Sequence, residues 1–98
     1  MRDQEFEDYL LQDDNIRSKV KAVRSRINKA RMIERHFDTS LDTIVSDDEI
    51  MYEILVRIKA EMKDTNGNLS NSLRKYYIFS AGKAFPTLGS YKNREVQF

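Results

Sequence analysis

The sequence predicts a small all-α bundle of four to five helices. Residues 1–66 contain neither proline nor glycine, so the two residues that most strongly disfavour a helix are absent from this stretch. Apolar residues recur at spacings of three and four, which is the period of an amphipathic helix and not of a strand. A chain of 98 residues suits one domain, and its charged fraction of 34% fits a thin fold with much solvated surface.

Two helices are predicted in the N-terminal part of the chain. The first runs from about Asp3 to Leu11, and the polar break at residues 13–15 ends it and offers an N-cap for the second. The second runs from about Ile16 to Phe37. Its apolar positions follow the alternating spacing of four and three that marks one helix face, and they are Ile16, Val20, Val23, Ile27 and Ala30.

The C-terminal part predicts a short turn at Leu41–Ile44 and two further helices. The run Ser46-Asp47-Asp48-Glu49 is a capping box that starts the third helix, because acids in a first turn complement the helix dipole. The fourth helix runs from about Leu69 to Phe85 and is stopped by Pro86. The apolar face of the third helix is formed by Ile50, Ile54, Ile58 and Met62.

These helices predict one domain followed by a tail. Residues 1–86 form the predicted helical domain, around a single core in which Ile27 and Leu73 are buried. Residues 87–98 are mostly polar, and we predict an irregular, mobile tail. Its isolated apolar residues could associate with another subunit or a protein partner, and they are Tyr91, Val96 and Phe98.

Charge is sorted along the chain, although the net charge is only +1. Residues 1–14 hold one basic and six acidic residues, whereas residues 16–37 hold eight basic residues and one acidic residue. Residues 38–64 are again acidic, with three basic and eight acidic residues, and residues 65–98 hold five basic residues and one acidic residue. Such sorting can produce a one-sided electrostatic field even when the total charge is small.

The second helix carries a row of basic side chains, which we call the basic row. At roughly 100° per residue its members fall within about 40° of Arg17 and span about 27 Å, outside the apolar face. A solvated helix face usually mixes charge signs, because opposite charges four residues apart stabilise a helix, but this row contains no acid. The row predicts an anionic partner, and nucleic acid rather than a membrane surface, since a membrane-surface helix also presents bulky apolar residues. Its members are Arg17, Lys21, Arg24, Asn28, Arg31 and Arg35.

Neither catalysis nor a cofactor nor a metal is predicted. The chain has no cysteine, which excludes disulfides and thiolate metal sites, and His36 is its single histidine. The acids at residues 47–49 are explained as first-turn helix residues, and the three glycines lack the neighbours of a phosphate-binding loop. No apolar run approaches ~18 residues, so no membrane span is predicted and the cytoplasm is the expected location.

Four short motifs occur in order along the chain. Phe6-x-x-Tyr9-Leu10 lies in the first helix and Val23-Arg24-Ser25-Arg26-Ile27 in the second, and Ile33-Glu34 through Leu41-Asp42 follows. The last is Ser72-Leu73-Arg74-Lys75-Tyr76-Tyr77-Ile78-Phe79, similar to a small-Leu-Arg-x-Tyr-x-x-Phe ending. Over about residues 4–85 the chain thereby resembles the N-terminal core-binding domain, a SAM-like fold, of tyrosine recombinases and phage integrases.

The resemblance implies a domain that clamps one side of a DNA duplex with two of its helices. Basic side chains would meet phosphates, while Asn28 and Asn71 could bond adenine edges bidentately. The second helix would contact DNA through Lys21, Arg24, Ser25, Asn28 and Arg31. The start of the fourth helix would do so through Asn68, Ser70, Asn71, Arg74 and Lys75.

The chain departs from the recombinase pattern in two ways. Val23 stands where the family often has an aromatic residue. The catalytic domain has no counterpart, because the residues after His36 do not complete a His-x-x-Arg box and Tyr91 has no catalytic partners. The resemblance therefore implies only the DNA-holding half of a DNA recombination system, either a small protein of a phage or mobile element or one domain of a longer enzyme.

An alternative from another class stays open. The chain could be a helical protein–protein adaptor or regulatory protein whose acidic third helix, Asp47 to Asp64, meets a basic partner. The basic second helix would then pair within the chain or be solvated.

Overall fold

The computed structural model describes residues 1–12 and 19–96, which form six α-helices and no strand. The predicted small all-α bundle is confirmed, with more helices in these residues than the four to five expected. The helices are α1 (Asp3–Leu11), α2 (Lys19–Phe37), α3 (Leu41–Val45), α4 (Asp48–Glu61), α5 (Asn68–Ala81) and α6 (Leu88–Val96).

α5 lies at the centre of the bundle and packs against α1, α2, α3 and α4. Its Leu73 and Tyr76 are fully buried, and the Tyr76 ring meets the Phe6 ring of α1 edge-on with centroids 4.9 Å apart. Ile27 of α2 is also buried, so the predicted burial of Ile27 and Leu73 is confirmed. α2 packs against α5, α1 and α3 and keeps its remaining face in solvent.

Two apolar residues near helix starts are exposed, contrary to prediction. Val20 is 68% exposed and Ile50 is 37% exposed. The face of α2 that contacts the core shifts around the helix toward its end, where Ile33 is fully buried. At the start of α4 the buried residue is Met51 and not Ile50. Ile16, the first apolar residue predicted for the second helix, lies outside the described residues.

The start of α4 is capped one residue later than predicted. The Asp47 carboxylate accepts the backbone N–H groups of Glu49 at 2.8 Å and Ile50 at 3.3 Å. The capping box predicted at Ser46 is therefore wrong, because the Ser46 hydroxyl donates to the Thr43 carbonyl at 2.7 Å instead.

α5 ends earlier than predicted. It stops at Ala81, because Gly82 adopts a left-handed backbone (φ 75°) that glycine reaches without steric cost and that commonly terminates helices. The prediction that the helix continues to Phe85 is wrong, and Pro86 lies in the connector that follows.

The tail, predicted to be irregular, contains a helix. α6 spans Leu88–Val96, and the Thr87 hydroxyl accepts the backbone N–H of Ser90 at 3.2 Å in its first turn. Sequence analysis missed this helix because its few apolar residues do not form a visible stripe. Its residues Leu88 and Tyr91 pack against the core, and such tertiary contacts stabilise a helix this short.

α6 is held against α4 by aromatic contacts. Tyr91 stacks on Tyr52 of α4 with centroids 5.0 Å apart, and Phe85 lies 5.3 Å from Tyr91 and 5.1 Å from Tyr77. Tyr91 is buried by this packing and is not presented to another subunit as expected. The side chains of Val96 and Phe98 lie outside the described part of the chain.

Candidate nucleic-acid interface

A surface groove brings the start of α5 beside α2. Its walls are α2 and the loop that joins α4 to α5, and its volume is about 510 Å³. We call it the basic groove. Four residues predicted on the second helix lie here together with one predicted on the fourth, Asn68. The groove is lined by Lys21, Arg24, Ser25, Asn28, Lys29, Met32, Lys63, Asp64, Thr65, Asn66, Asn68 and Leu69.

The basic groove holds four cations and one acid. Lys21 and Arg24 are exposed and make no ion pair with any residue that the structure describes. The Lys29 ammonium donates to the Ser25 hydroxyl at 2.6 Å, which keeps that charge at the groove wall. Two exposed amides, Asn28 and Asn68, lie among these charges, so the groove combines cationic groups with amides that can both donate and accept hydrogen bonds.

The acid of the groove, Asp64, caps α5. Its carboxylate accepts the backbone N–H groups of Leu69 at 2.9 Å and Ser70 at 3.0 Å, and the Ser70 hydroxyl at 2.6 Å. Burial opposes ionisation of Asp64, but these hydrogen bonds outweigh it and lower the pKa of the carboxyl below its usual value. Two backbone amides in the first turn of α5 are thus already satisfied by Asp64 and are not free to bind a phosphate.

Ser70 was predicted to contact DNA, but its side chain is buried. It is only 6% exposed, and its hydroxyl is committed to Asp64. A buried hydroxyl needs a hydrogen-bond partner, and the capping carboxylate supplies it. Asn71, by contrast, is exposed and lines a smaller groove of about 200 Å³ that adjoins the first at Ser25, Lys29 and Asn68.

Arg74 is engaged with the protein rather than presented to DNA. One guanidinium nitrogen donates to the carbonyls of Phe85 at 3.0 Å and Pro86 at 3.1 Å, and the group lies 5.8 Å from the Phe85 ring centroid. Burial lowers the pKa of this guanidinium. Arg74 therefore fixes the connector to α6, which corrects the prediction of a phosphate contact. Lys75 is half-buried and lines neither of the two grooves.

The far end of the basic row differs from its start. Arg31 pairs with Asp3 of α1 at 2.7 Å, so the expectation of a row without partners is wrong at this residue. Arg35 is exposed but shares a shallow depression with Asp3 and Asp38. Arg17 lies outside the described residues. The strongest cationic surface of α2 is consequently the part that lines the basic groove.

Sequence reasoning missed seven of the twelve residues that line the basic groove. Lys29 lies off the basic row on the helix, Lys63 falls at the end of the predicted third helix, and Thr65 and Asn66 belong to a segment whose composition predicts only a turn. Nothing in the local pattern of that turn connects it with α2, because tertiary packing places the two together.

The described residues supply no other recognisable chemistry. No three His, Asp or Glu side chains among them are grouped so that they could hold a metal ion. None of the described helices is both long enough and apolar enough to cross a membrane.

Comparison with known proteins finds no matching protein-family model, no similar curated protein and no similar solved structure. The resemblance to core-binding domains rests on the sequence motifs alone. Most of the apolar residues in those motifs lie in the core, among them Phe6, Leu10, Val23, Ile27, Ile33, Leu41, Leu73 and Tyr76.

Proposed function

We propose that this chain is a non-catalytic module that binds duplex DNA. The observation that carries the proposal is the basic groove, where Lys21, Arg24 and Asn28 of α2 lie beside Asn68 at the start of α5. Residues of α2 and the first residue of α5, far apart in sequence, therefore share one surface. That surface offers charge for phosphates and amides for base edges.

The proposed binding mode places α2 along the duplex. B-DNA's major groove is about 12 Å wide and admits a helix, so the exposed face of α2 can approach base edges. Lys21 and Arg24 then contact backbone phosphates. Asn28 and Asn71 provide the bidentate hydrogen bonds that recognise adenine.

A salt titration of binding to one labelled duplex tests the proposal. If the four cations of the basic groove each neutralise one phosphate, the logarithm of affinity should fall with the logarithm of salt at a slope of about −3 to −4. Arg24→Ala should weaken binding to all sequences and reduce the slope by about 1, whereas Asn28→Ala should change sequence preference and leave the slope nearly unchanged.

The matched control is Lys83→Ala. Lys83 is exposed and follows the opposite end of α5, roughly 20 Å along the helix from Asn68. The Lys83→Ala variant should therefore bind DNA like the wild type. A wild type whose affinity does not change with salt would remove the DNA proposal.

The same proposal makes the chain a DNA-holding part of a recombination system in the cytoplasm, without chemistry of its own. The purified chain should neither cleave nor join DNA, with or without magnesium. Strand cleavage that survives repurification and that a point substitution abolishes would contradict this.

One observation favours a second candidate, a protein–protein adaptor. α4 exposes Ile50 and Val56, at 37% and 41%, on a helix that also presents Glu49 and Glu53 to solvent. Such a surface suits a basic partner helix with apolar residues. The adaptor gains support if the wild type lacks DNA affinity at low salt while Glu49→Lys together with Glu53→Lys abolishes binding to such a basic helix.

A further inference from the structure

We infer that the loop between α4 and α5, residues 62–67, forms the second wall of the DNA site, and that Lys63 contacts the sugar–phosphate strand seated against α2. This inference rests on the proposed function, and it adds an element that the sequence did not indicate. The loop and α2 line the same groove, with Lys63 in one wall and Lys21 and Arg24 in the other.

The size of the groove selects one strand rather than a whole duplex. A volume of about 510 Å³ cannot admit a double helix, whose major groove alone is about 12 Å wide. A single sugar–phosphate ridge of a duplex can enter it. Met32 and Leu69 add apolar surface to the groove lining, which suits the deoxyribose, while the cations of the two walls suit the phosphates on either side of the sugar.

The loop is held in one conformation before DNA arrives. Lys63 has a left-handed backbone (φ 51°) at the end of α4, and Asp64 ties the loop to α5 through its bonds to Leu69 and Ser70. Gly67, also left-handed (φ 72°), donates its N–H to the Asp64 carbonyl at 3.2 Å. A wall fixed in this way loses little conformational entropy on binding, so the Lys63 charge is already in place.

The charge of Asp64 does not cancel this site. Its carboxylate accepts three hydrogen bonds from α5, and the positive end of the helix dipole stabilises its negative charge. Four cations remain against this one acid. The groove therefore retains a net positive field for a phosphate strand.

The test replaces Lys63 with asparagine in the full chain. Asparagine removes the charge and tolerates the left-handed backbone at this position, so the loop should keep its conformation. Lys63→Asn should reduce the salt slope of duplex binding by about 1 and weaken binding to all sequences alike. Lys63→Arg keeps the charge and should retain the wild-type slope, and Lys83→Asn is the matched control away from the groove.

Backbone amide NMR shifts supply a second readout on the same titration. Signals of residues 63–68 should move at the same duplex concentrations as those of residues 21–29. A wild type that binds with a steep slope while Lys63→Asn matches Lys83→Asn, or in which only residues 21–29 respond, overturns the inference and leaves the proposed function standing. A wild type that does not bind the duplex overturns both.

Discussion

α2 and α5 both carry many polar side chains but use them in opposite ways. On α2, Lys21, Arg24 and Asn28 are exposed on a face that no other helix covers. On α5, Ser70 and Arg74 are engaged inside the protein, with Asp64 and with the connector carbonyls at residues 85 and 86.

The difference follows from position in the bundle. α2 packs on one side, so a polar residue opposite its apolar face is free to meet a ligand. α5 packs against four other helices, so polar residues along most of its circumference must find internal partners. Polar residues of a peripheral helix can therefore stay exposed, whereas those of a central helix more often have structural partners.

The largest expected effect is the loss of stability when a core residue of each helix is truncated. Leu73→Ala should lower the free energy of unfolding by about 2–5 kcal/mol, because Leu73 is fully buried on the helix that contacts four others. Ile27→Ala, on α2, should fall lower in the same range because the edge of the bundle can relax around the cavity. Urea denaturation measures both, and an equal or larger loss at Ile27 would break the comparison.

Arg74 and Arg24 provide the sharpest contrast between structural and binding roles. Arg74→Ala should lower the free energy of unfolding by about 1.5–3 kcal/mol, since it leaves two connector carbonyls without their charged donor. It should leave the salt slope of DNA binding unchanged. Arg24→Ala should instead reduce the salt slope and leave the free energy of unfolding nearly unchanged. Urea denaturation and the salt titration together distinguish the two variants. A slope that falls by about 1 in the Arg74 variant would restore the phosphate contact first predicted.

Asp64→Asn tests the cap of α5 through its pH dependence. The lowered pKa means that the ionised carboxylate stabilises the fold above the ordinary aspartate pKa near 3.9, and that this stability is lost as pH falls through the lowered folded-state pKa. The variant should lose about 1 kcal/mol at neutral pH, because an amide has one accepting oxygen where the carboxylate uses two, and it should show a smaller further loss below about pH 4. The measurement is urea denaturation across that pH range.

The control for this cap is Asp38→Asn. Asp38 is exposed and has a left-handed backbone (φ 51°) that asparagine also accepts, so the substitution should be nearly neutral. If both variants lose the same free energy of unfolding with the same pH dependence, Asp64 does not stabilise α5 as a cap.

The smallest effect is expected at Val20. Because this residue is 68% exposed, Val20→Ala should change the free energy of unfolding by less than about 0.5 kcal/mol. A loss above 1 kcal/mol would show that Val20 belongs to the core after all, as the apolar spacing of α2 first indicated.

The parts of the fold that sequence predicted well depend on local periodicity. α1 has its predicted bounds, and α2 ends where predicted, because apolar spacing and polar breaks act over a few residues. The end of α5 was placed at Pro86, although Gly82 comes first along the chain and ends the helix through its left-handed backbone. When a glycine precedes a proline near the end of a helix, the helix can end at the glycine.

The candidate site was predicted on the exposed face of α2 and at Asn68, the first residue of α5. Lys21, Arg24 and Asn28 are where the helical spacing placed them, whereas the loop with Lys63 could not be assigned to the site. Whether a turn faces a helix from another part of the chain depends on long-range packing. The same limit explains Asp3, since nothing local indicates that an acid of α1 would pair with Arg31.

The stacked pair of Tyr52 and Tyr91 gives the docked tail an optical signal. The chain has no tryptophan, so its near-ultraviolet absorption is dominated by its five tyrosines. Two of these face each other at 5.0 Å between α4 and α6, close enough for their transitions to couple. Detachment of α6 would remove that coupling while leaving the helices largely intact. Near-ultraviolet circular dichroism can therefore follow the tail without any attached label.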